Sequence, residues 1–140
     1  MDFDPLKLDN QLCFPLYAGA REIVRLYRPF LEPLGLTYTQ YIAMMVFWEH
    51  KRFNIKALGE RLFLDSGTLT PLLRRMEAQG LIVRERDAGD ERNVIVTITE
   101  AGERLRERAA EIPGKIISCL SLDVNEAKTL HGLLNKILGR

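Results

Sequence analysis

Residues 64–80, LDSGTLTPLLRRMEAQG, decide how the rest of this chain folds. A helix that begins after a cap at Asp65 or Ser66 would bury one stripe of apolar side chains, namely Leu69, Leu72, Leu73 and Met76. Its opposite face is small or compact at the centre, with hydroxyls and guanidiniums at the edges: Gly67, Pro71 and Ala78, then Thr68, Thr70, Arg74 and Arg75. Such a face can lie close against a groove walled by phosphates, although a solvated amphipathic helix has the same pattern.

The segments on either side predict a helix-turn-helix followed by a β-hairpin. Residues 55–62 read as a short helix capped by Asn54. Gly80 can end the second helix in the left-handed conformation, and residues 81–86 and 93–98 then read as two strands around a charged turn. The sequence therefore predicts a winged helix-turn-helix over residues 54–98, in which the second helix enters a major groove and the hairpin reaches the backbone or the minor groove.

Length and composition are those of an ordinary globular protein. The 140 residues, 46% of them hydrophobic, suit a single domain with a real core. A net charge of +1 is weak evidence for nucleic acid, so affinity would have to come from two copies of the site or from close shape fit. The longest apolar run, residues 41–48, falls short of the roughly 18 residues of a membrane span, and residues 1–4 do not resemble a signal peptide. We expect a cytoplasmic protein with no membrane partner, whose two cysteines are thiols.

A long N-terminal helix is predicted from a cap at Asp9 or Asn10 to about Leu31. Cys13 and Tyr17 lie one turn apart on its apolar stripe. A cysteine in such a stripe is commonly a small core residue. Here, however, the unsatisfied N–H groups at the helix start stabilise a thiolate, and a phenol can donate a hydrogen bond to a thiolate or a sulfenic acid. Cys13 is therefore a candidate reactive thiol.

Tyr27 faces the same way as Cys13 but lies fourteen residues along the helix. That separation is about 21 Å at 1.5 Å per residue, too far for contact within one helix. If Tyr27 serves Cys13, it must come from a second copy of the chain packed antiparallel. This hypothesis couples thiol oxidation to a dimer interface.

Residues 29–35, with two prolines and a glycine, are expected to break the first helix. Thr37 and Gln40 match a capping box, which opens an apolar helix through Trp48 before a charged loop over residues 50–52. Four large side chains are expected in the core: Met44, Met45, Phe47 and Trp48. Two tyrosines start this helix, and the hydroxyl of either could reach a neighbouring polar site: Tyr38 and Tyr41.

The C-terminal part predicts further amphipathic helices. Thr99 and Asp123 each cap one, and Pro113 with its following glycine should break the chain between them. A small winged domain cannot cover these apolar stripes together with that of the first helix. The simplest burial is between two chains, so residues 1–35 and 99–140 are predicted to form the interface of a homodimer.

Four stretches carry a family resemblance: residues 9–17 (DNQLCFPLY), 36–41 (LTYTQY), 59–73 (GERLFLDSGTLTPLL) and 90–92 (DER). Over nearly its whole length the chain resembles the MarR family of winged-helix repressors, and specifically its organic-hydroperoxide-sensing branch, OhrR. The fold implied is mostly α with a small β wing, in one domain over residues 1–140. The function implied is a repressor that binds a palindromic operator when reduced and leaves it when organic hydroperoxide oxidises the protein.

The resemblance also implies roles for individual residues. Cys13 is implied as the peroxidatic cysteine, surrounded by Tyr17 and, from the other subunit, by Tyr27 and Tyr38. The DNA-contacting helix would use Asp65, Ser66, Gly67, Thr68, Thr70 and Arg75, with Arg74 on the same predicted face. The wing would use Arg86, Asp90 and Arg92, with Arg92 entering the minor groove while Asp90 holds it.

The fate of oxidised Cys13 stays open at this point. One-cysteine members of the branch need a small thiol or further oxidation to lose DNA, whereas two-cysteine members form a disulfide between subunits. Cys119 lies close to the position of the resolving cysteine in the second kind, although it is also a plausible core residue.

Three other functions compete with a peroxide-sensing repressor. A repressor of this fold could instead be released by a non-covalent aromatic ligand under the first helix. An enzyme such as a thiol peroxidase is disfavoured, because Cys13 has no nearby paired histidine and no Pro-x-x-x-Thr-x-x-Cys signature. A DNA-compacting protein is disfavoured by the near-neutral charge. His50 and His131 lack partners at a ligand spacing, so no metal or cofactor is predicted.

Overall fold

The computed structural model describes residues 3–140; Met1 and Asp2, which begin the predicted N-terminal segment, lie outside the described residues. The fold is mostly helical with a small three-stranded sheet, as predicted. The elements follow in order: α1 (Cys13–Leu31), α2 (Tyr38–His50), β1 (Arg52–Asn54), α3 (Ile55–Leu62), α4 (Ser66–Ala78), β2 (Ile82–Arg86), β3 (Val94–Ile98), α5 (Glu100–Ala109), α6 (Ile112–Cys119) and α7 (Val124–Ile137). Short 3-10 helices span Leu8–Asn10 and Glu32–Leu34.

The described chain divides into two compact units, residues 3–110 and residues 111–140. The first unit contains α1 to α5 and the sheet, and the second contains α6 and α7. In the first unit the core is built around α2 and α4. The stripe predicted on α4 is confirmed, because all four of its side chains are buried: Leu69, Leu72, Leu73 and Met76.

Local capping motifs start the helices where the sequence predicts them. Asn54 accepts a hydrogen bond from the Ala57 N–H at 3.1 Å, and Thr37 and Gln40 form the expected capping box. Side-chain caps start three more helices, and the capping residues are Asp65, Thr99 and Asp123. The cap at Asp123 is also a capping box. Gly80 follows α4 with a φ of 76°, as predicted.

The sheet has the order β1-β3-β2, and both pairs of strands are antiparallel. The hairpin of β2 and β3 is confirmed. Arg52 was predicted in a charged loop, and that prediction is wrong, because Arg52 begins strand β1 and pairs with Thr97 in β3. Three residues are too few for a period of two to be recognised, so only pairing with a distant strand identifies them.

The first helix begins later than predicted. The cap at Asp9 or Asn10 is wrong, because the Asn10 amide donates to the Asp4 carbonyl at 2.9 Å within a separate turn. The predicted end at about Leu31 is confirmed, and Pro29 lies inside the helix. The chain reverses after the next 3-10 turn, at Gly35, whose φ is 70°.

Two expectations for α2 are also wrong. His50 is the last residue of the helix and not part of a loop. Met45 is 41% exposed, whereas its neighbours Met44 and Phe47 are fully buried. The helix turns by about 100° per residue, so one position in this apolar run must face outward.

Helices α1 and α7 expose apolar side chains in the single chain. On α1 these include Phe14, Leu16, Tyr17 and Val24, and on α7 Leu130, Leu133 and Ile137. Helix α7 has no buried residue. None of the described helices combines the length and apolar character needed to cross a membrane.

Candidate DNA interface and redox site

Helix α4 presents the face that the sequence singled out. Most of its candidate contact residues are exposed and Thr70 is half-buried: Ser66, Gly67, Thr68, Thr70, Arg74 and Arg75. Among residues 3–140, no ion pair engages the guanidinium of Arg74 or Arg75. Both cations can therefore approach an anionic ligand without first breaking a bridge.

Asp65 has a local structural role at the start of this helix. Its carboxylate accepts a hydrogen bond from the Thr68 N–H at 2.8 Å. A Cβ at Gly67 would lie 3.4 Å from the same carboxylate oxygen, so the turn is tight. Asp65 thus positions the N–H groups of the first turn, which carry partial positive charge.

The turn before α4 depends on Gly59 in α3. A Cβ at Gly59 would lie 2.9 Å from the carbonyl oxygen of Leu64 and 3.4 Å from the side chain of Leu69. The close approach of α3 to the turn requires a residue without a side chain here. Glycine within a helix is a signal that sequence reasoning could have used, but the prediction did not assign it a role.

The wing is the β2–β3 hairpin with its turn over residues 87–93. Asp90 accepts hydrogen bonds from Arg92 through its backbone N–H at 3.0 Å and through its guanidinium at 3.1 and 3.3 Å. These hydrogen bonds lower the pKa of Asp90, so it stays ionised. The Arg92 side chain is 91% exposed. Asp90 therefore holds an exposed cation at the wing tip, and entry of Arg92 into a minor groove stays a prediction.

Arg86 lies at the base of the wing. Its guanidinium donates to the Glu91 carbonyl at 2.8 Å, which ties the start of the hairpin turn to its far side. The Asp87 N–H also donates across the turn to the Asn93 carbonyl at 2.8 Å. These contacts give Arg86 a role in shaping the wing.

An ion pair joins helix α4 to the wing. Glu77 accepts hydrogen bonds from the Arg84 N–H at 3.0 Å and from its guanidinium at 3.1 Å. The hydrogen bonds from Arg84 lower the pKa of Glu77 below its usual value. This pair was not predicted from the sequence, because its members are seven residues apart and a turn lies between them. It ties helix α4 to strand β2 of the wing.

Cys13 is the first residue of α1 and its side chain is exposed. Tyr17 lies one turn further on and is 60% exposed. Its hydroxyl accepts a hydrogen bond from Arg21 at 3.4 Å, and the guanidinium lies 5.6 Å from the ring centroid. Within residues 3–140, no hydrogen bond joins Cys13 to a tyrosine.

Tyr27 and Tyr38 meet in a cluster at the other end of α1. Their ring centroids are 4.9 Å apart, and Tyr41 lies 5.5 Å from Tyr27 and 6.2 Å from Tyr38. Burial raises the pKa of Tyr27 and of Tyr38, and raises that of Tyr41 to about 12. All three hydroxyls therefore stay protonated near neutral pH and can act as donors.

Tyr41 is a member of this cluster to which the sequence analysis gave no definite role. It is 1% exposed, and its hydroxyl has no hydrogen-bond partner among the described residues. Buried hydroxyls are usually paired, so this group is unusual. A tyrosine three residues after Tyr38 on a helix is the signal that could have indicated it.

Cys119 is the last residue of α6, and its side chain is exposed. Both cysteines are free thiols. The predicted break in the helix is confirmed, but it lies at residues 110–111, just before Pro113. In the described part of the chain, no three His, Cys, Asp or Glu side chains converge in a way that could hold a metal ion.

Comparison with known proteins identifies the family. The family described as Transcriptional regulator SarA/Rot matches residues 25–109. The organic hydroperoxide resistance transcriptional regulator of Bacillus subtilis (strain 168) is 48% identical over 136 residues, which cover 97% of this chain and 92% of the relative. The chain belongs to the MarR family of winged-helix regulators, in its organic-hydroperoxide-sensing branch. This MarR-family chain is a transcriptional regulator and not an enzyme.

Two solved structures of AbfR from Staphylococcus epidermidis resemble this MarR-family chain in different states. Reduced AbfR bound to DNA is 37% identical with a TM-score of 0.79, covering 94% of this chain and 91% of AbfR. Disulfide-formed AbfR is 35% identical with a TM-score of 0.68, covering 94% and 92%. Overoxidised AbfR bound to DNA also has a TM-score of 0.79, so the backbone is more similar to DNA-bound AbfR than to disulfide-formed AbfR.

Proposed function

We propose that the protein is a homodimeric, cytoplasmic repressor that binds a palindromic DNA operator when reduced and releases it when organic hydroperoxide oxidises Cys13. One observation carries this proposal. Helix α1 has an exposed thiol at one end, a packed tyrosine cluster at the other, and exposed apolar side chains in between. The relatives described above support the same function.

The apolar face of α1 supports the dimer. Phe14, Leu16 and Val24 are each at least 40% exposed, and they alternate with the thiol and phenols along the helix. Burial of such side chains stabilises association by about 25 cal/mol for each Å² removed from water. A second copy covers this face most simply, and a two-fold axis makes the contacts reciprocal.

The same antiparallel pairing explains how a Tyr27 side chain can reach a Cys13 thiol. The two residues lie in one continuous helix, about 21 Å apart at 1.5 Å per residue. An antiparallel copy of α1 brings the partner's Tyr27, and Tyr38 packed against it, to the thiol. Their protonated hydroxyls then donate hydrogen bonds to the thiolate and hold it ready for the oxidant.

The oxidation is a two-electron transfer of oxygen to sulfur. The Cys13 thiolate attacks the terminal oxygen of the hydroperoxide, the O–O bond breaks, and the sulfur becomes a sulfenic acid. The organic alkoxide leaves and takes a proton from solvent to become an alcohol. The sulfur is oxidised while the peroxide is reduced, so no further cofactor is required.

Cys119 is proposed to resolve the sulfenic acid. Its thiolate attacks the sulfur of the partner subunit's oxidised Cys13, the hydroxide leaves as water after protonation, and an S–S bond forms between subunits. Two molecules of a small thiol reduce that bond and restore the starting state. The solved structure of disulfide-formed AbfR, a relative of this chain, supports disulfide formation in this step.

The dimer holds DNA through two identical DNA-binding surfaces, one in each subunit. Each consists of α4 with its exposed Arg74 and Arg75 and the wing with Arg92. The two α4 helices must match half-sites about 34 Å apart. Simultaneous binding of both subunits to DNA multiplies the affinity. A shift of a few ångströms in the DNA-binding surface of one subunit therefore releases the whole dimer.

The decisive test uses Cys13→Ser, with Cys119→Ser as the matched control. A fluorescein-labelled palindromic duplex is first selected in vitro with the reduced protein. Cumene hydroperoxide should release the parent protein but not Cys13→Ser, and dithiothreitol should restore binding of the parent protein. Release of Cys13→Ser as efficient as that of the parent protein would contradict the proposal and favour a non-covalent ligand as inducer.

A non-reducing gel tests the role of Cys119 separately. Peroxide should convert the parent protein to a covalent dimer and leave Cys119→Ser as a monomer band. A covalent dimer in Cys119→Ser would exclude this cysteine as the resolving thiol. Full release of Cys119→Ser from DNA by peroxide alone would favour the one-cysteine mechanism.

A further inference from the structure

A chain of amide hydrogen bonds connects the start of α2, which carries Tyr38, to the C-terminal end of the candidate DNA-contacting helix α4. The Gln40 amide nitrogen donates to the Gln79 side-chain oxygen at 3.1 Å. The Gln79 amide nitrogen donates in turn to the Gly35 carbonyl at 2.7 Å. Gln40 is the third residue of α2, and Gln79 is the C-cap residue that directly follows α4.

Both ends of this chain are fixed to functional elements. The Gln40 side-chain oxygen accepts from the Thr37 N–H at 3.1 Å, within the capping box that positions Tyr38. The Gln79 N–H donates to the Arg75 carbonyl at 3.0 Å, in the last turn of α4. The amides therefore connect the residue next to Tyr38 with the turn that carries Arg75.

Burial fixes the Gln40 end of this connection, whereas Gln79 is exposed. Gln40 is 4% exposed and is the polar residue with the most buried side chain in the described core. A buried amide that loses its partner loses more free energy than one that can turn to water. When residues 35–40 move, helix α4 must move with them or leave the Gln40 amide unpaired.

We propose that Gln40 and Gln79 are positioning residues that transmit displacement of Tyr38 on oxidation to helix α4, and so couple the thiol to DNA release. The proposal rests on the proposed function. Gln79 suits this role because one amide group accepts from α2 and donates to the α1–α2 turn at the same time. Gln79 therefore joins the start of α2 and the α1–α2 turn to the end of α4.

The test compares Gln79→Met and Gln40→Met with Arg104→Met as a control. Methionine keeps the length of the glutamine side chain and removes its amide. Arg104 is an exposed residue of α5 whose guanidinium makes an exposed contact with Glu100 at 3.7 Å. The dissociation constant for the selected duplex is measured for each protein, fully reduced and after oxidation with cumene hydroperoxide. Mass spectrometry measures the oxidised fraction of Cys13.

The quantity of interest is the ratio of the oxidised to the reduced dissociation constant. We expect this ratio to fall about five-fold in each glutamine variant, with no further fall in the double variant, because both residues belong to one connection. The rate of Cys13 oxidation should be unchanged in all variants, and Arg104→Met should keep the parent ratio. Thermal melts verify that each variant is folded at the assay temperature.

Two results would overturn the proposal, and they have different meanings. An unchanged ratio in Gln79→Met and Gln40→Met, with the parent protein still released by peroxide, would reduce the glutamines to a structural role. A parent protein that peroxide does not release would overturn both this inference and the proposed function.

Discussion

Replacing Gly102 by alanine should destabilise the first unit through a clash that the structure makes explicit. A Cβ at this position would lie 2.4 Å from the Leu81 carbonyl oxygen and 2.8 Å from the Ile98 side chain. The Leu81 carbonyl and the Gly102 backbone cannot easily move apart, because a hydrogen bond holds each of them. The Leu81 oxygen accepts from the Thr99 N–H at 3.0 Å, and the Gly102 carbonyl itself accepts from Trp48 Nε1 at 2.9 Å.

Three contributions set the magnitude. Overpacking of a filled core costs about 1–3 kcal/mol. Weakening the two hydrogen bonds adds about 1 kcal/mol each. Alanine recovers about 0.5–1 kcal/mol over glycine in a helix. The net loss in the free energy of unfolding is therefore about 3 kcal/mol, which lowers the melting temperature by about 10 °C for a domain of this size.

The assay is thermal and urea unfolding at fixed protein concentration, followed by circular dichroism and by tryptophan fluorescence. Trp48 is the sole tryptophan in the sequence, and its indole N–H donates a hydrogen bond to the Gly102 carbonyl. Its emission therefore reports a structural change around Gly102. Gly114→Ala is the matched control, because its Cβ would meet no atom within 4 Å, and its stability should stay equal or rise slightly. A Gly102→Ala protein as stable as the parent protein would refute the steric reasoning.

Three further predictions concern the candidate site. Tyr41→Phe should raise the free energy of unfolding by about 1 kcal/mol in urea titrations, since it removes a buried hydroxyl without a partner; a loss of stability would indicate that this hydroxyl is bonded in the dimer. Because Arg84 lowers the pKa of Glu77, their pair contributes stability above the usual glutamate pKa of about 4.5 and loses it as the pH falls further. Unfolding midpoints measured from pH 7 to pH 3 should therefore fall less steeply in Glu77→Gln, and parallel curves would contradict this. Arg92→Ala should weaken operator binding by the reduced protein and lower the salt-dependence slope of anisotropy titrations by about 2 for a dimer, one for each subunit; Arg104→Ala should leave the slope unchanged, and an equal effect of both variants would argue against a specific role of the wing.

Much of the fold follows from local patterns in the sequence. The caps at Asn54, Asp65, Thr99 and Asp123 each join a side chain to an N–H three residues away. The buried stripe of α4 depends only on the period of a helix. Such features need no knowledge of distant residues, so they can be predicted from the sequence. The candidate redox cysteine and the candidate DNA-contacting helix follow from the same patterns together with the family resemblance.

Tertiary structure alone decided the contacts between distant residues. Strand β1 exists because Phe53 pairs with Val96, and the Gln40–Gln79 bond spans 39 residues. Tyr41 joins the phenol cluster only because α1 packs against α2. These contacts depend on how the helices cross, which is set by the packing of the whole core and not by any local period. The sequence by itself therefore determined which side chains are available for sensing and for DNA, and the packed structure decided which of them are connected.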